Sequence, residues 1–375
     1  MKLNKRLVRL SRLEGNFSNG REPAGWAMEH FISIIIPNYN GSRTIGKCLG
    51  SIFAFNDDDR EVIVVDDCSE DGSLDIIRKY PCRLVQLEKH AGASAARNAG
   101  AVNSKGDLLF FIDADCLLQQ NTLPVIRKHL ASWPADLLIG GTYTPVPYDP
   151  EFFSLFQSVF INYFETKNLS NPDYLTTHAL AVHAKTFRKL GGFKEKFLPI
   201  LEDVEFCHRI RRAGFRLTMD ADLRVQHIFN FSLRRSLRNA ARKTHYWIVY
   251  SLENRDLFAD SGTASVELKI NGIAWLGTVL LGLLALATGR EGFLMPLPLL
   301  WAVDIFVNRH LFSAFSKAGG ALFGFLGGMY YMMVYPAAVW VGVFRGVVQY
   351  VSRNKMQADR GDPRRPASSG SVKEQ

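Results

Sequence analysis

Two stretches of this chain, Ile273–Ala287 and Ala321–Phe344, contain no charged side chain at all. A soluble core helix rarely stays apolar for that long, and roughly 20 apolar residues suffice to carry a helix across a bilayer. This part is therefore read as membrane-integrated. Asn271–Thr288 is long enough to cross. Phe293–Val307 is shorter and holds Asp304 and two prolines, while Ala321–Phe344 either crosses with tilt or folds back at Pro336. Two, three or four crossings stay open. Residues 31–265 mix apolar and charged positions and can bury a core of their own. With 47% hydrophobic and 22% charged residues overall, wholesale disorder and fibrous classes are excluded.

The formal net charge of +9 raises the question of nucleic acid. The cations, however, sit at the chain ends and at Arg234, Arg235, Arg238, Arg242 and Lys243, beside apolar segments, as a surface facing anionic lipid requires. No nucleic-acid-binding motif accompanies them, and no nucleic-acid partner is expected. Five cysteines without a C-x-x-C pair argue against a disulfide framework or a cysteine-based zinc site and suit a reducing compartment. Met1–Gly15 is basic and lacks an apolar centre, so no cleavable signal peptide is expected. Its leucines at 3, 7, 10 and 13 read as a basic amphipathic helix or as a frayed leader.

From Phe31 apolar runs alternate with helical periods. Phe31–Ile36, Glu61–Val65, Arg83–Leu87 and Asp107–Ile112 read as buried strands, and Ile45–Phe53, Leu74–Tyr80 and Ala91–Asn103 as helices. That alternation predicts an α/β fold with a mainly parallel sheet, whose ligands lie outside the carboxyl ends of the strands. Asn38, Asp66, Asp67, Asp113 and Asp115 stand at those ends. Residues 125–230 are less regular, with Glu151–Phe164 and Glu202–Ala213 helical and Gly191-Gly192-Phe193 a turn.

Asp113-Ala114-Asp115 can turn two carboxylates toward one point and offer hard oxygen ligands to Mg²⁺ or Mn²⁺; taken alone it is equally an acidic turn. Asp66-Asp67 is either a capping pair before Ser69–Gly72 or a ligand-facing pair. Gly92–Gly100 is neither a dinucleotide nor a P-loop fingerprint; its small residues suit close packing of a helix on the sheet, with Arg97 reaching the cleft. Glu202-Asp203 opens a helix, where a carboxylate is stabilised as an anion and suits either a cap or a general base. His178, His183, His208 and His227 have no metal-ligand spacing and receive no role.

In order, the chain carries Ile-Ile-Pro-Asn-Tyr-Asn (35–40), Val-Val-Asp-Asp-Cys-Ser (64–69), Gly-Ala-Ser-Ala-Ala-Arg-Asn-Ala-Gly (92–100), Phe-Ile-Asp-Ala-Asp (111–115), Gly-Gly-Phe (191–193) and Leu-Glu-Asp-Val-Glu-Phe (201–206). Over about residues 31–230 this resembles the family-2 inverting glycosyltransferases of the GT-A fold. The resemblance implies that Pro37 and Tyr39 hold a nucleotide base, with Asp67 and nearby Asp66 on its edge, and that Arg97 faces the diphosphate. It implies that Asp113 and Asp115 meet the ribose and a divalent metal, and that Asp203, with Glu202 beside it, is the catalytic base. Processive synthases of the family carry Gln-x-x-Arg-Trp, whereas Arg242–Trp247 reads Arg-Lys-Thr-His-Tyr-Trp. A single transfer is therefore expected.

The expected organisation is a basic leader (1–30), a GT-A nucleotide-sugar transferase domain (31–230), a basic juxtamembrane segment (231–265), a transmembrane region (266–351) and a disordered tail (352–375). The expected reaction moves a sugar from a nucleotide-sugar, with a lean to uridine, onto a hydroxyl of a lipid-linked saccharide or glycolipid. The transferase domain is expected on the cytoplasmic face of the cytoplasmic membrane, with membrane lipid as a partner. A polyprenyl phosphate as acceptor, or a non-catalytic nucleotide-sugar-binding subunit, are the alternatives.

Overall fold

The computed structural model describes residues 31–359 except 56, 57, 131, 132 and 197. The expected leader, and the tail beyond Asp359, lie outside the described residues. The first half follows the strand–helix alternation: β1 (Ile32–Asn38), α1 (Ile45–Phe53), β2 (Arg60–Asp66), α2 (Ser73–Ile77), β3 (Arg83–Gln86), α3 (Ala93–Asn103) and β4 (Leu108–Phe111). Next come β5 (Cys116–Leu118), α4 (Thr122–Leu130), β6 (Leu137–Tyr143), α5 (Phe152–Glu165), β7 (Leu180–His183), α6 (Ala184–Lys189), α7 (Glu202–Arg212) and β8 (Arg216–His227). The C-terminal part comprises α8 (Leu233–Asn254), α9 (Val266–Thr288), α10 (Leu297–Met329), a π-turn (Tyr330–Val334) and α11 (Tyr335–Asp359).

The strands form one sheet in the order β3-β2-β1-β4-β7-β6-β8-β5. β1 runs parallel to both β2 and β4, and β7 then reverses direction beside β4. The chain leaves β1 toward one side of the sheet and returns to the other at β4, so the β1–β4 crevice is a switch point open to ligands. Consecutive residues of β1 face opposite layers: Ile34 and Ile36 pack in one core with α1 and α5, and Ile35 in the other, shared with α6 and α7. Both faces being covered explains why β1 reads as an unbroken apolar run. α3 lies very close to the sheet, since a Cβ on Gly100 would come within 2.4 Å of Ile35 Cγ2. The small-residue segment is thus a packing surface.

The apolar C-terminal helices do not all face outward. α9 and the helical segment 291–355 are long and apolar enough to cross a membrane, but of their most apolar 18 residues 17% are buried in the first and 44% in the second. Gly320 adopts φ 83°, breaking α10 sharply. Beyond it Gly324, Gly327 and Gly328 fold back on Ser316, Phe315 and Phe312. α11 then runs parallel to α8, Gly342 over Ala241 and Gly346 over His245 and Ile248. The π-turn frees carbonyls that α9 satisfies: Asn271 Nδ2 donates to the Tyr331 oxygen at 2.9 Å and Trp275 Nε1 to that of Met333 at 2.9 Å. Ala321–Phe344, read from sequence as one possible crossing, is therefore the returning arm of a hairpin followed by a helix laid along α8. α11 also continues to Asp359, past the expected start of the tail.

Candidate active site

Asn38 ends β1 buried, and its Nδ2 donates to Asp66 Oδ1 at 2.8 Å, tying the ends of β1 and β2 together. Asp66 Oδ2 accepts the Ser69 N–H at 2.9 Å, so one of its oxygens is spent on β1 and the other on the loop. Asp67 points the other way. It accepts the backbone N–H groups of Ala91 and Gly92 at 2.7 and 2.8 Å, and His90 Nδ1 lies 3.0 Å from it. The adjacent acids, which would repel if both were free, are separated by these partners.

A cleft of about 580 Å³ opens at the carboxyl ends of β1 and β4. Pro37, Tyr39, Asp67, Arg97, Asp113 and Asp115 all line it, so six of the nine residues singled out in the sequence converge. Asp66, Glu202 and Asp203 do not line it. Asp66, expected at the base edge, serves instead as a brace between the first two strand ends. Tyr39 keeps half its surface open and packs against His90, with ring centroids 4.2 Å apart, giving the cleft an aromatic platform.

Arg97 is the hub. It is buried, and its two terminal nitrogens donate to Asp113 Oδ1 at 2.6 Å and to Glu202 Oε1 at 2.7 Å. Burial works against the Asp113 carboxylate, but Arg97 and the charges of His178 and His227 together outweigh it and hold Asp113 below the usual carboxylate range. The sequence placed Arg97 on the diphosphate; its guanidinium is already committed to two carboxylates. Arg43 and Arg235 supply the cleft with two further cations.

Asp115 stands apart from its neighbour. Its Oδ2 lies 3.4 Å from His227 Nε2 at the end of β8, and Asp115, Cys116 and His227 bring one ligand atom each within 4.8 Å of one another. Asp113 belongs to Arg97, so the partner of Asp115 toward a cation is His227. Burial, with the charges of Asp115 and Asp113, raises the Cys116 thiol well above its ordinary pKa, so it stays protonated and is a poor ligand. A carboxylate and an imidazole remain, a donor set that suits Mn²⁺ and accepts Mg²⁺. Sequence reading gave His227 no role and did not single out His90. Neither has local spacing to betray it, because the fold alone brings each to an acid far away in the chain.

Leu201, at φ 76°, turns the chain sharply into α7, whose first turn holds Glu202, Asp203 and Glu205. A non-glycine residue held there is strained, as is common at functional sites. Asp203 Oδ1 accepts the Val204 N–H at 2.8 Å. Burial and then the charge of Glu202 push its pKa up to about 7, against the pull of that N–H, Arg97 and His178. A carboxyl poised near neutrality beside an ion-paired cluster can exchange a proton with a bound hydroxyl.

Residues 33–190 match the family described as Glycosyl transferase family 2. The chain has the GT-A fold. Over 239 residues the chain is 28% identical to glycosyltransferase AglE of Haloferax volcanii, a match spanning 61% of this chain and 78% of AglE. It is 28% identical to glycosyltransferase GlyA of Streptococcus pneumoniae over 42% of this chain, which spans only 25% of GlyA. A mannosyltransferase of Pyrobaculum calidifontis, solved with GDP-Man and Mn²⁺, superposes with a TM-score of 0.52 at 15% identity, covering 92% of this chain and 94% of that one. At that identity the likeness concerns the fold.

Proposed function

We propose that this chain is an inverting glycosyltransferase that moves a sugar from a nucleotide-sugar donor to a hydroxyl of a lipid-linked saccharide at the membrane face. The observation that carries the reading is Asp203, a carboxyl with a pKa of about 7 joined through Glu202 and Arg97 to the cleft-lining Asp113. Tyr39 and His90 stack on the donor's base, Asp67 holds the loop Ala91–Gly92 that shapes the cleft, and Arg43 and Arg235 meet the diphosphate. Asp115 and His227 would hold a divalent cation, and Asp113 sits beside the ribose. When bound, the cation neutralises charge developing on the leaving diphosphate. Asp203 takes the acceptor hydroxyl proton as that oxygen bonds to the anomeric carbon and the carbon–oxygen bond to the diphosphate breaks. One displacement inverts the centre.

The membrane reading is refined by the charges. Glu267 and Lys269 open α9, Arg290 and Glu291 lie in the turn after it, and Arg309 and Lys317 follow on α10. The intervening stretches, residues 270–289 and 292–308, hold 20 and 17 residues, about 30 and 25 Å of helix at 1.5 Å per residue, and the second carries Asp304. A two-crossing hairpin with its tip near Gly289–Pro296 returns both ends to the transferase side, consistent with the excess of Lys and Arg there. The domain organisation follows: a GT-A transferase on the cytoplasmic face, a basic α8 at the headgroups and two crossings.

The test is transfer by the full chain in nanodiscs containing lipid extract, with radiolabelled nucleotide-sugars as donors and NMR of the product anomer. A labelled lipid product with inverted configuration is expected; retention, or transfer only to water, would remove the reading. A phosphate acceptor is distinguished by Asp203→Asn, which it should tolerate.

A further inference from the structure

Four polar side chains interrupt the apolar packing between α9, α10 and the π-turn. Asn271 of α9, Asp304 and Asn308 of α10 and Tyr331 of the π-turn are all fully buried. Asp304 and Asn308 stand one turn apart on the same face of α10. A Cβ on Gly277 would meet Leu300 Cδ1 at 3.3 Å, which sets the register of the antiparallel pair. Counted from that contact at 1.5 Å per residue, Asn271 lies about 9 Å along α9, level with Asp304 and Asn308 at about 6–12 Å along α10. The Tyr331 hydroxyl lies beside Asn271 and within reach of the Asp304 charge.

The hydrogen bonds inside this group use up the amide donors and leave oxygens over. Asn308 Nδ2 donates to Asp304 Oδ1 at 2.8 Å and to the Asp304 carbonyl oxygen at 3.0 Å. Asn271 Nδ2 donates to the Tyr331 carbonyl oxygen. Asp304 Oδ2, Asn308 Oδ1, Asn271 Oδ1 and the Tyr331 hydroxyl are then buried with no hydrogen-bond partner among the described residues. Three of these four atoms can only accept. The Tyr331 O–H could serve one of them yet bonds to none, so the four are not arranged to satisfy one another. Glu267, one turn before Asn271 on the same face, is paired with Lys167 at 2.8 Å. Asp304 has no such cation among the described residues. A carboxylate buried in this way, in a stretch read as crossing the membrane, is costly unless its charge is met.

We infer that these four oxygens form a binding site for one hard monovalent cation of the sodium class, held where α9, α10 and the π-turn meet. Oxygen-only ligands suit a hard ion. One carboxylate offsets one charge, whereas a divalent ion would leave a second charge uncompensated in apolar surroundings. A water molecule has two protons to give, fewer than the acceptors present, and brings no charge. The ion fastens both helices to the π-turn, an irregularity of the kind often found at functional sites. The neighbouring Tyr330 closes on Phe156 of α5, so the same ion steadies the seat of the hairpin on the transferase core. The inference does not depend on the reaction proposed above.

The test uses the full chain in nanodiscs of uncharged lipid, with EDTA to keep divalent ions out of the donor cleft. Scintillation-proximity binding of ²²Na⁺ should show one saturable site that choline does not compete for. Replacing choline chloride by sodium chloride at equal ionic strength should raise the melting temperature by about 2 °C or more, saturating with the binding curve. Asp304→Asn should abolish both effects. In choline it should melt no lower than wild type, because it removes an uncompensated buried charge. Tyr331→Phe keeps shape and removes one ligand, so sodium affinity should fall about tenfold, as loss of one charge-assisted contact requires. That variant keeps the test decisive if Asp304→Asn does not fold. Asp115→Asn should leave sodium binding intact, which separates this site from the donor cleft. A wild type without a sodium site, or wild-type sodium affinity in Asp304→Asn or Tyr331→Phe, would overturn the inference. Stabilisation by acid alone with no sodium dependence would overturn it too, since it places a proton on Asp304.

Discussion

Arg97 on α3 holds Glu202 on α7 at 2.7 Å, and through that contact the residue before the candidate base is fixed to the floor of the donor cleft. The other arm of the same guanidinium holds Asp113 at 2.6 Å. The end of β4 and the start of α7 are thus joined by one planar cation whose fork matches two carboxylates, a geometry that an ammonium cannot reproduce.

Arg97→Lys should therefore lower both stability and turnover. One of the two carboxylates is left buried without its donor, at a cost of about 1–3 kcal/mol. Thermal unfolding in detergent reads the first effect and single-turnover transfer the second. An unchanged melting temperature with normal turnover would show that the bridge is idle.

Asp203→Asn keeps shape and removes basicity, and turnover should fall by about 10²–10⁴-fold with donor affinity unchanged. In the wild type, kcat/KM should rise with pH through an apparent pKa near 7, a property of the Asp203–Glu202 pair rather than of either acid. The ascending limb should vanish in the variant. A pH profile that keeps it would move the base elsewhere.

The same carboxyl has a stability signature. Its pKa is raised on folding from 3.8 to about 7, so well below 3.8 both folded and unfolded forms are protonated and no penalty exists. Between those values the unfolded chain ionises first and stability drops; above about pH 7 the penalty is complete. Asp203→Asn should thus raise the melting temperature at pH 8 by more than at pH 4, where most of the penalty is absent. A variant destabilised at pH 8 would contradict the assignment of burial and Glu202 as causes.

Asp115→Asn and His227→Gln should each weaken Mn²⁺ binding, measured by electron paramagnetic resonance of free Mn²⁺ in the presence of nucleoside diphosphate. Asp113→Asn should weaken it less, because Asp113 faces Arg97. Equal losses from Asp113 and Asp115 would restore the pair of acids as the ligand set.

Gly346→Val places a branched side chain where a single Cβ already comes within 2.7 Å of the His245 oxygen and of Ile248. Overpacking of this kind costs about 1–3 kcal/mol, and limited proteolysis should show α11 released from α8. Resistance equal to wild type would mean that the helices have room to separate.

How much of this was legible follows from the kind of signal each element emits. β1, β2 and β4 are buried on both faces and read as continuous apolar runs, so Asn38, Asp66, Asp67, Asp113 and Asp115 could be placed at strand ends from sequence alone. β8 has one half-buried face, its Leu217, Met219, Leu223 and Val225 buried between exposed or partly exposed positions, and a charged strand of that kind does not announce itself. His227 was lost with it. The division of labour between Asp66 and Asp67 was hidden for another reason: two adjacent acids look alike until the backbone N–H groups that each accepts are known. The apolar run 321–344 left a crossing and a fold-back both open, because composition records dislike of water but not whether lipid or α5 and α8 relieves it.

Phe156 of α5 stacks on Phe315 of α10 with ring centroids 5.1 Å apart, and Tyr330 closes on the same ring at 4.8 Å. This has a consequence for how the molecule is born. Synthesis at about 5–20 residues per second leaves α5 waiting on the order of ten seconds for residue 315 to emerge. During that interval its aromatic face is bare, because the segment that will cover it has not yet been made. The core around α5 is therefore completed only once α10 has been made, so this part of the molecule cannot finish folding behind the ribosome in simple N-to-C order.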